Sequence, residues 1–385
     1  GSWVWPVPLL NSALVRVRVS AVDQAGNRAG DVSDTAFIVD SADADEVIGG
    51  LGAGGSGWLQ TFTNLPVGLA NAGWRQVPWA PYATANGETR PACGDVDGDG
   101  RDEVVIGFGS YPSAGGWVVI RDDAVAGYAI LRWVRVPWTA YNAADGQTRP
   151  ACADFDGDGR AEIAVGLGPY PAQGGRCALF QDASAGYAFW RWVDVPWAAY
   201  NAANGETRPA GGDLDGDGRA ELVLGLGTYT AMGGRALVLD DGPSGFALVR
   251  WVQIAWAAYN GANGETWPAV GSLDGDSRAE IVLGLGTYTP SGGWFRVYDD
   301  SLAGNAALGW GRVNWVPYNA ADGEVRPACG DVDGDGRAEV LLGLARYPTA
   351  GGWINIHDDL TGNLASLRWV RVEWPTYNGA NGETW

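Results

Sequence analysis

The sequence predicts an all-β fold, a β-propeller of about six four-stranded blades, and three observations carry that prediction. The first is a nine-residue phrase, DVDGDGRDE from Asp95, which returns as DFDGDGRAE from Asp154, DLDGDGRAE from Asp213 and DVDGDGRAE from Asp331; an altered copy, SLDGDSRAE, begins at Ser272. Its starting points keep a period of 59 residues. The second is that aromatic residues keep the same step over six copies, as Trp74, Trp133, Trp192, Trp251, Trp310 and Trp369. A fixed period of this kind marks a repeat architecture, in which each unit buries its apolar face against its neighbours. The third is that one unit reads as four short strands, ETRPACGD, EVVIGFGS, GGWVVIRDD and AILRWVRV, each β-branched or aromatic and bounded by Gly, Asp or Asn. No segment of helical period competes with them. Four strands per unit, radially repeated, make a propeller blade. A β-solenoid is the alternative, but its coils are usually shorter and need no long connection after a fourth strand.

Taken in order, residues 1–35 form a segment unlike the rest. Residues 14–22 alternate apolar and polar, the chain turns at DQAGN, and a second strand resumes at TAFIVD. An isolated hairpin is marginal in water, so these strands are expected to dock on something. The leading Gly1-Ser2 reads as a cleavage scar or a mature start.

The propeller is expected over residues 36–385, with blades of about 36–94, 95–153, 154–212, 213–271, 272–330 and 331–385. The first unit is irregular and lacks the loop: with Glu46 aligned on Glu103, Ile38, Asp40, Ala42 and Ala44 stand where the other units have their expected ligands. The chain stops at NGETW, residues 381–385, where another first strand would begin. Six blades follow, with residues 35–40 or the last residues closing the ring; a seventh blade is the alternative. A further alternative leaves the edge open for a strand donated between copies, which builds a filament if the contact does not close.

The nine-residue phrase is a hard-cation loop. Carboxylates fall at its first, third, fifth and ninth positions, glycine at the sixth absorbs a sharp bend, and the arginine at the seventh offers its backbone carbonyl. The expected ligands are Asp95, Asp97, Asp99, Arg101 and Glu103; Asp154, Asp156, Asp158, Arg160 and Glu162; Asp213, Asp215, Asp217, Arg219 and Glu221; and Asp331, Asp333, Asp335, Arg337 and Glu339. The altered loop offers Asp274, Asp276, Arg278 and Glu280, with Ser277 in place of the sixth-position glycine, and is expected to bind more weakly. Four carboxylates so close together repel one another unless a cation neutralises them. Ca²⁺ is the expected occupant, because Mg²⁺ demands near-ideal octahedral geometry and usually keeps several waters. A solvated acidic turn is the bland reading, and recurrence in fixed register argues against it.

The stretch GDVDGDGRAEVLLGLARYPTAGGWINIHDD, from Gly330, resembles the FG-GAP or VCBS-type repeat of integrin-like propellers and of many secreted bacterial proteins. That family pairs a DxDGDG calcium loop with a strand ending in Gly, as GLG does here. The resemblance spans roughly residues 36–385 and implies a calcium-binding, extracellular propeller. The strands of residues 14–40 resemble the last two of a bacterial immunoglobulin-like domain.

The connection between units carries Trp79 and Tyr82, which recur as Trp138 and Tyr141, Trp197 and Tyr200, Trp256 and Tyr259, Trp315 and Tyr318, and Trp374 and Tyr377. Asn86, Glu88 and Arg90 accompany the first pair. Aromatic faces beside such groups suit sugar rings, so these residues are candidate ligand contacts; packing between blades is the competing reading. Paired acids such as Asp122 and Asp123 recur as Asp240 and Asp241, Asp299 and Asp300, and Asp358 and Asp359, as a turn or hydrogen-bond device would. The single histidine, His357, has no repeated Ser or Cys partner and reads as structural. Cys93, Cys152 and Cys329 share a position held elsewhere by Gly211 and Val270, and buried free thiols are expected there.

Composition bounds the function. A net charge of −20 argues against nucleic acid and anionic membranes. All 25 basic residues are Arg, a bias expected of a high-GC genome. No apolar run is long enough to span a membrane as a helix. The expectation is a non-catalytic binding or structural module of the cell surface, acting in adhesion or surface assembly. A lectin-like multivalent propeller is the alternative, and a polysaccharide lyase or phosphoesterase is a third. Glycans or cell-surface proteins are the expected partners.

Overall fold

The second strand of each unit dictates the architecture. In a computed structural model every residue of Glu103–Phe108, Glu162–Leu167, Glu221–Leu226, Glu280–Leu285 and Glu339–Leu344 is buried. A strand apolar on both faces needs a layer on each side. Those layers are the neighbouring blades: Val105, Val118 and Ile120 of one sheet pack with Ile163, Val165 and Ala178 of the next. The structure describes residues 12–15, 18–22, 28–32, 37–39, 46–65, 68–171, 173–289, 291–348 and 350–385.

Five antiparallel sheets keep strand order equal to sequence order. The second blade comprises Thr89–Gly94, Glu103–Phe108, Trp117–Arg121 and Ile130–Arg135, and four more follow, the sixth ending at Ser366–Arg371. Each sheet thus begins with the strand before its acidic loop. A unit counted from the loop, such as 95–153, straddles two sheets, because Thr148–Ala153 opens the next blade. In the first blade Glu46–Gly50, Trp58–Leu65 and Gly68–Gln76 form three strands. The far end of the chain supplies the missing inner one. Gly50 N–H donates to the Trp385 carbonyl (3.0 Å), Trp385 N–H donates to Gly50 O (3.1 Å), and Leu51 bridges to Thr384.

This closure makes the ring six-bladed and follows one of the two expected routes, the last residues; Phe37–Val39 pairs instead with Ser12–Val15. The edge expected to await a donated strand is occupied within the same chain, so no open end remains there to drive strand exchange. Ahead of the propeller, Arg18–Val22 also pairs with Arg28–Val32; the DQAGN turn lies outside the described residues.

Glycine and threonine set how closely blades approach. A Cβ on Gly107 would lie 2.5 Å from the Thr148 carbonyl and from Pro150 Cδ of the next blade; Gly166, Gly225 and Gly284 meet the same obstacle. The Thr148 hydroxyl accepts from Phe108 N–H (2.8 Å) and donates to Trp117 O (2.8 Å), stitching two sheets. Thr89, Thr207, Thr266 and Thr384 repeat the first of these bonds; Val325 replaces the threonine once.

Two further expectations are corrected. Each connection between blades holds a helix of six residues, Ala80–Ala85 being the first, where the sequence reads as loop. Less than two turns is too short to show a helical period. The cysteines form no disulfide, as expected, but Cys177 alone is buried; Cys152 and Cys329 are half-buried and Cys93 is exposed.

Candidate metal centre

Each acidic loop joins the first strand of a blade to the second, and its own backbone folds the carboxylates inward. In the second blade Asp95 accepts from Gly98 N–H (2.6 Å) on Oδ1 and from Gly100 N–H (3.0 Å) on Oδ2. Gly98 and Gly100 both have positive φ, 84° and 90°, which glycine adopts without a steric penalty. Asp97 Oδ1 accepts from Asp99 N–H, and Asp99 Oδ1 accepts from Arg101 N–H. Glu103 Oε2 accepts from Val96 N–H (2.9 Å) and Asp97 N–H (3.1 Å).

One oxygen stands apart. Glu103 is fully buried and its Oε1 has no partner, as is true of Glu221, Glu280 and Glu339 Oε1. A buried carboxylate oxygen with no donor is costly unless something cationic meets it. Carboxylate oxygens of Asp95, Asp97 and Asp99 lie within 4.8 Å of one another, as do those of Asp154, Asp156 and Glu162, and of Asp213, Asp215 and Glu221. Without a cation, burial and then the repulsion of Asp97 push the Glu103 carboxyl up to about 8. Burial likewise drives Glu162, Glu221 and Glu339 to about 8 and Glu280 to about 7, with the loop aspartates adding to the rise. This donor set fits a hard cation: carboxylates at four positions and a carbonyl at Arg101, Arg160, Arg219 or Arg337.

The fifth-blade loop departs from the pattern as its sequence predicts. Ser272 brings no carboxylate, and Ser277 is held at φ of 83°. Its remaining acids keep the inward bonds, with Asp274 accepting from Asp276 N–H (3.0 Å) and Glu280 from Leu273 N–H (2.6 Å).

The loops are also hooked to one another. Ala161 N–H donates to Asp95 O of the preceding blade (2.7 Å), and Ala220, Ala279 and Ala338 repeat the link. The Arg160 and Arg219 guanidinium groups reach the carbonyls of Asp97 (3.2 Å) and Asp156 (3.4 Å).

The aromatic series corrects the sugar-stacking expectation. Tyr82, Tyr141, Tyr200, Tyr259, Tyr318 and Tyr377 are all buried. Tyr82 OH donates to Glu88 O (2.6 Å) and accepts from Gly109 N–H (2.8 Å), pinning the connecting helix to the next blade. Tyr377 makes the same pair of bonds to Glu383 O and Gly52 N–H across the point of closure. The tryptophans are half-buried with rings already engaged. Trp79 stacks on Tyr82 (4.9 Å, 23°) and meets Trp133 edge-on; Trp138, Trp197, Trp256, Trp315 and Trp374 each pack on the tyrosine of their own connection. The buried tyrosine rings have no face to offer a sugar, and the half-buried tryptophan rings are taken up in ring-to-ring packing.

Sequence reasoning missed the propeller axis. Arg90, Arg149, Arg208, Trp267, Arg326 and Trp385 hold equivalent positions on the six inner strands and line one axial cavity. Arg208 pairs with Glu206 (2.8 Å) and Glu265 and lies 3.7 Å over the Trp267 ring; Arg326 pairs with Glu324 and Glu383 (each 2.7 Å) and lies 3.7 Å over Trp385. Burial alone would raise Glu206, but Arg149 and Arg208 hold it below the usual carboxylate range; Glu265, buried and beside Glu324 and Glu206, is pushed up to about 7 despite Arg208. The signal was the TRP triplet at 59-residue spacing, which only the inner-strand assignment turns into a ring. His357 is buried with its two ring nitrogens 2.8 Å from Leu364 O and Asn355 Oδ1.

No protein-family model matches the chain, and no curated protein does. Among solved structures it is similar to the Dos1 propeller, at 11% identity, with 92% of this chain and 74% of that one covered and a TM-score of 0.43. It is also similar to the Chaetomium thermophilum Sqt1 bound to the N-terminus of the ribosomal protein L10 (14% identity, 85% and 75% covered, TM-score 0.44) and to the rhamnogalacturonan lyase YesW (15%, 97% and 70%, 0.41). These likenesses assign the chain neither a family nor a ligand.

Proposed function

We propose that this chain is a Ca²⁺-stabilised propeller of the FG-GAP or VCBS kind, preceded by the end of an immunoglobulin-like domain, that works outside the cell as a non-catalytic binding or structural module. The observation that carries the reading is the buried, unpartnered Oε1 of Glu103 and its counterparts, set among aspartate carboxylates at the same place in successive blades. Per-loop affinity is expected at about 10⁻⁴ to 10⁻³ M, the range of extracellular calcium modules. That range suits a compartment rich in Ca²⁺. The non-catalytic part of the reading is supported by repetition, because the acidic clusters recur in several blades whereas a catalytic site needs one asymmetric constellation. Proteins or glycans of the cell surface are the proposed partners, met in adhesion or surface assembly. Glycan contact through the Trp79 and Tyr82 series is not part of the proposal, since those rings are packed.

The test is thermal unfolding of the full chain in excess chelator and in millimolar Ca²⁺. Ions that bind only the folded state stabilise it by mass action, so the melting temperature should fall on chelation and recover on adding Ca²⁺. An identical melt in both conditions overturns the calcium reading.

A further inference from the structure

We propose that each loop's cation takes a further carboxylate from the end of the third strand of its own blade: Asp122, Asp240, Asp299 and Asp358, with Asp182 serving the third blade. The inference rests on the calcium reading above and adds a ligand that the loop phrase does not contain.

Strand register places the residue. Arg121 at the end of the third strand pairs with Val104, so Asp122 comes beside Glu103, which opens the second strand. Carboxylate oxygens of Asp122, Asp97 and Glu103 accordingly lie within 4.8 Å of one another. Those of Asp182, Asp158 and Glu162 do the same in the third blade, where Gln181 occupies the register of Asp122.

The two members of each acid pair have different tasks. Asp123 accepts the Ala126 N–H (2.6 Å) to close the hairpin and pairs with the Arg101 guanidinium (3.3 Å). Asp241, Asp300 and Asp359 do likewise with Ser244 and Arg219, Ala303 and Arg278, and Gly362 and Arg337. Asp122 takes the Asp123 N–H on Oδ1 (3.0 Å), as its equivalents Asp240, Asp299 and Asp358 take theirs, which leaves the second oxygen to face the loop.

Two buried oxygens point to a ligand between these segments. Glu103 Oε1 has no partner in a fully buried side chain, and Asp182 Oδ2 has none in a residue only 2% exposed. The loop alone supplies carboxylates at four positions and one carbonyl, short of the roughly six to eight oxygens Ca²⁺ takes. The third-strand aspartate is the sixth donor in an intact loop and the fifth in the loop that carries Ser272.

Calcium titration calorimetry of the full chain tests this, with Glu103→Gln as the reference for loss of one loop. Asp122→Asn should weaken one site on the order of tenfold, as removal of a charged oxygen ligand does, while the remaining sites titrate unchanged. Gln181→Asp should tighten the third-blade site, which keeps the test informative if Asp122→Asn folds poorly. If wild type takes up no Ca²⁺, the calcium reading itself fails. If wild type binds and Glu103→Gln loses a site, but neither Asp122→Asn nor Gln181→Asp alters binding, the further ligand is wrong and the loop reading stands.

Discussion

Ser277 shows how much one residue can cost when its backbone is fixed by its neighbours. It holds φ of 83° where the other four loops place glycine, and an L-residue in the left-handed region costs roughly 1 to 2 kcal/mol. Ser277→Gly is therefore expected to raise the melting temperature by a few degrees and to tighten the fifth-blade loop; a melt no higher than wild type would contradict this strain. Tyr259 makes the opposite case. Its hydroxyl accepts from the buried Gly286 N–H (2.8 Å) and donates to the part-buried Glu265 O. Tyr259→Phe removes only the oxygen, yet it strands both groups and should cost about 1 to 3 kcal/mol in urea unfolding. Tyr259→Ala, which also empties a ring-sized space, should cost ~3 to 5 kcal/mol. A phenylalanine variant as stable as wild type would show that the hydroxyl does not tie the blades.

At the level of the element, the acidic loop is a turn whose charge opposes its own fold. The folded carboxyls of Glu103, Glu162, Glu221 and Glu339 sit near 8, above the ordinary value of 4.5. A folded value raised above the unfolded one gives stability that is full below about 4.5 and is lost as pH climbs through about 8. In chelator, the melting temperature should therefore decline steadily between those limits. Millimolar Ca²⁺ should flatten or reverse the slope, because the ion replaces the protons and its binding releases them. A chelated protein whose melt is independent of pH across this window would deny that these glutamates are desolvated.

For the whole molecule, stability depends on a closed ring and a filled axis. The ring closes through the bonds between Gly50 and Trp385 and through Tyr377 and Gly52. Deleting residues 383–385 should expose the Glu46–Gly50 edge, lower the melting temperature and promote association visible by light scattering, while the full chain stays monodisperse. On the axis, Arg208 neutralises Glu206 and Glu265 and covers Trp267. Arg208→Ala leaves Glu265 without its partner and Glu206 with Arg149 alone, and should cost ~3 to 5 kcal/mol. A loss below 1 kcal/mol would mean the ring of charges is not desolvated.

By itself the sequence determined what repeats locally. The 59-residue period, the strand patterns, the inward-folding acidic phrase and the weakened copy at Ser272 and Ser277 all follow from residue type and spacing, because turns and short strands are written in neighbouring residues. Only the tertiary structure decided what depends on residues far apart. It chose Trp385 over residues 35–40 to close the ring, since strand pairing joins positions more than 300 residues apart. It buried Tyr82 and its counterparts, because exposure is set by the neighbouring blade and not by the aromatic residue itself. It brought Asp122 to the loop of Glu103 through the register of two strands, and it turned a triplet repeated along the chain into a ring of arginine and tryptophan around one axis.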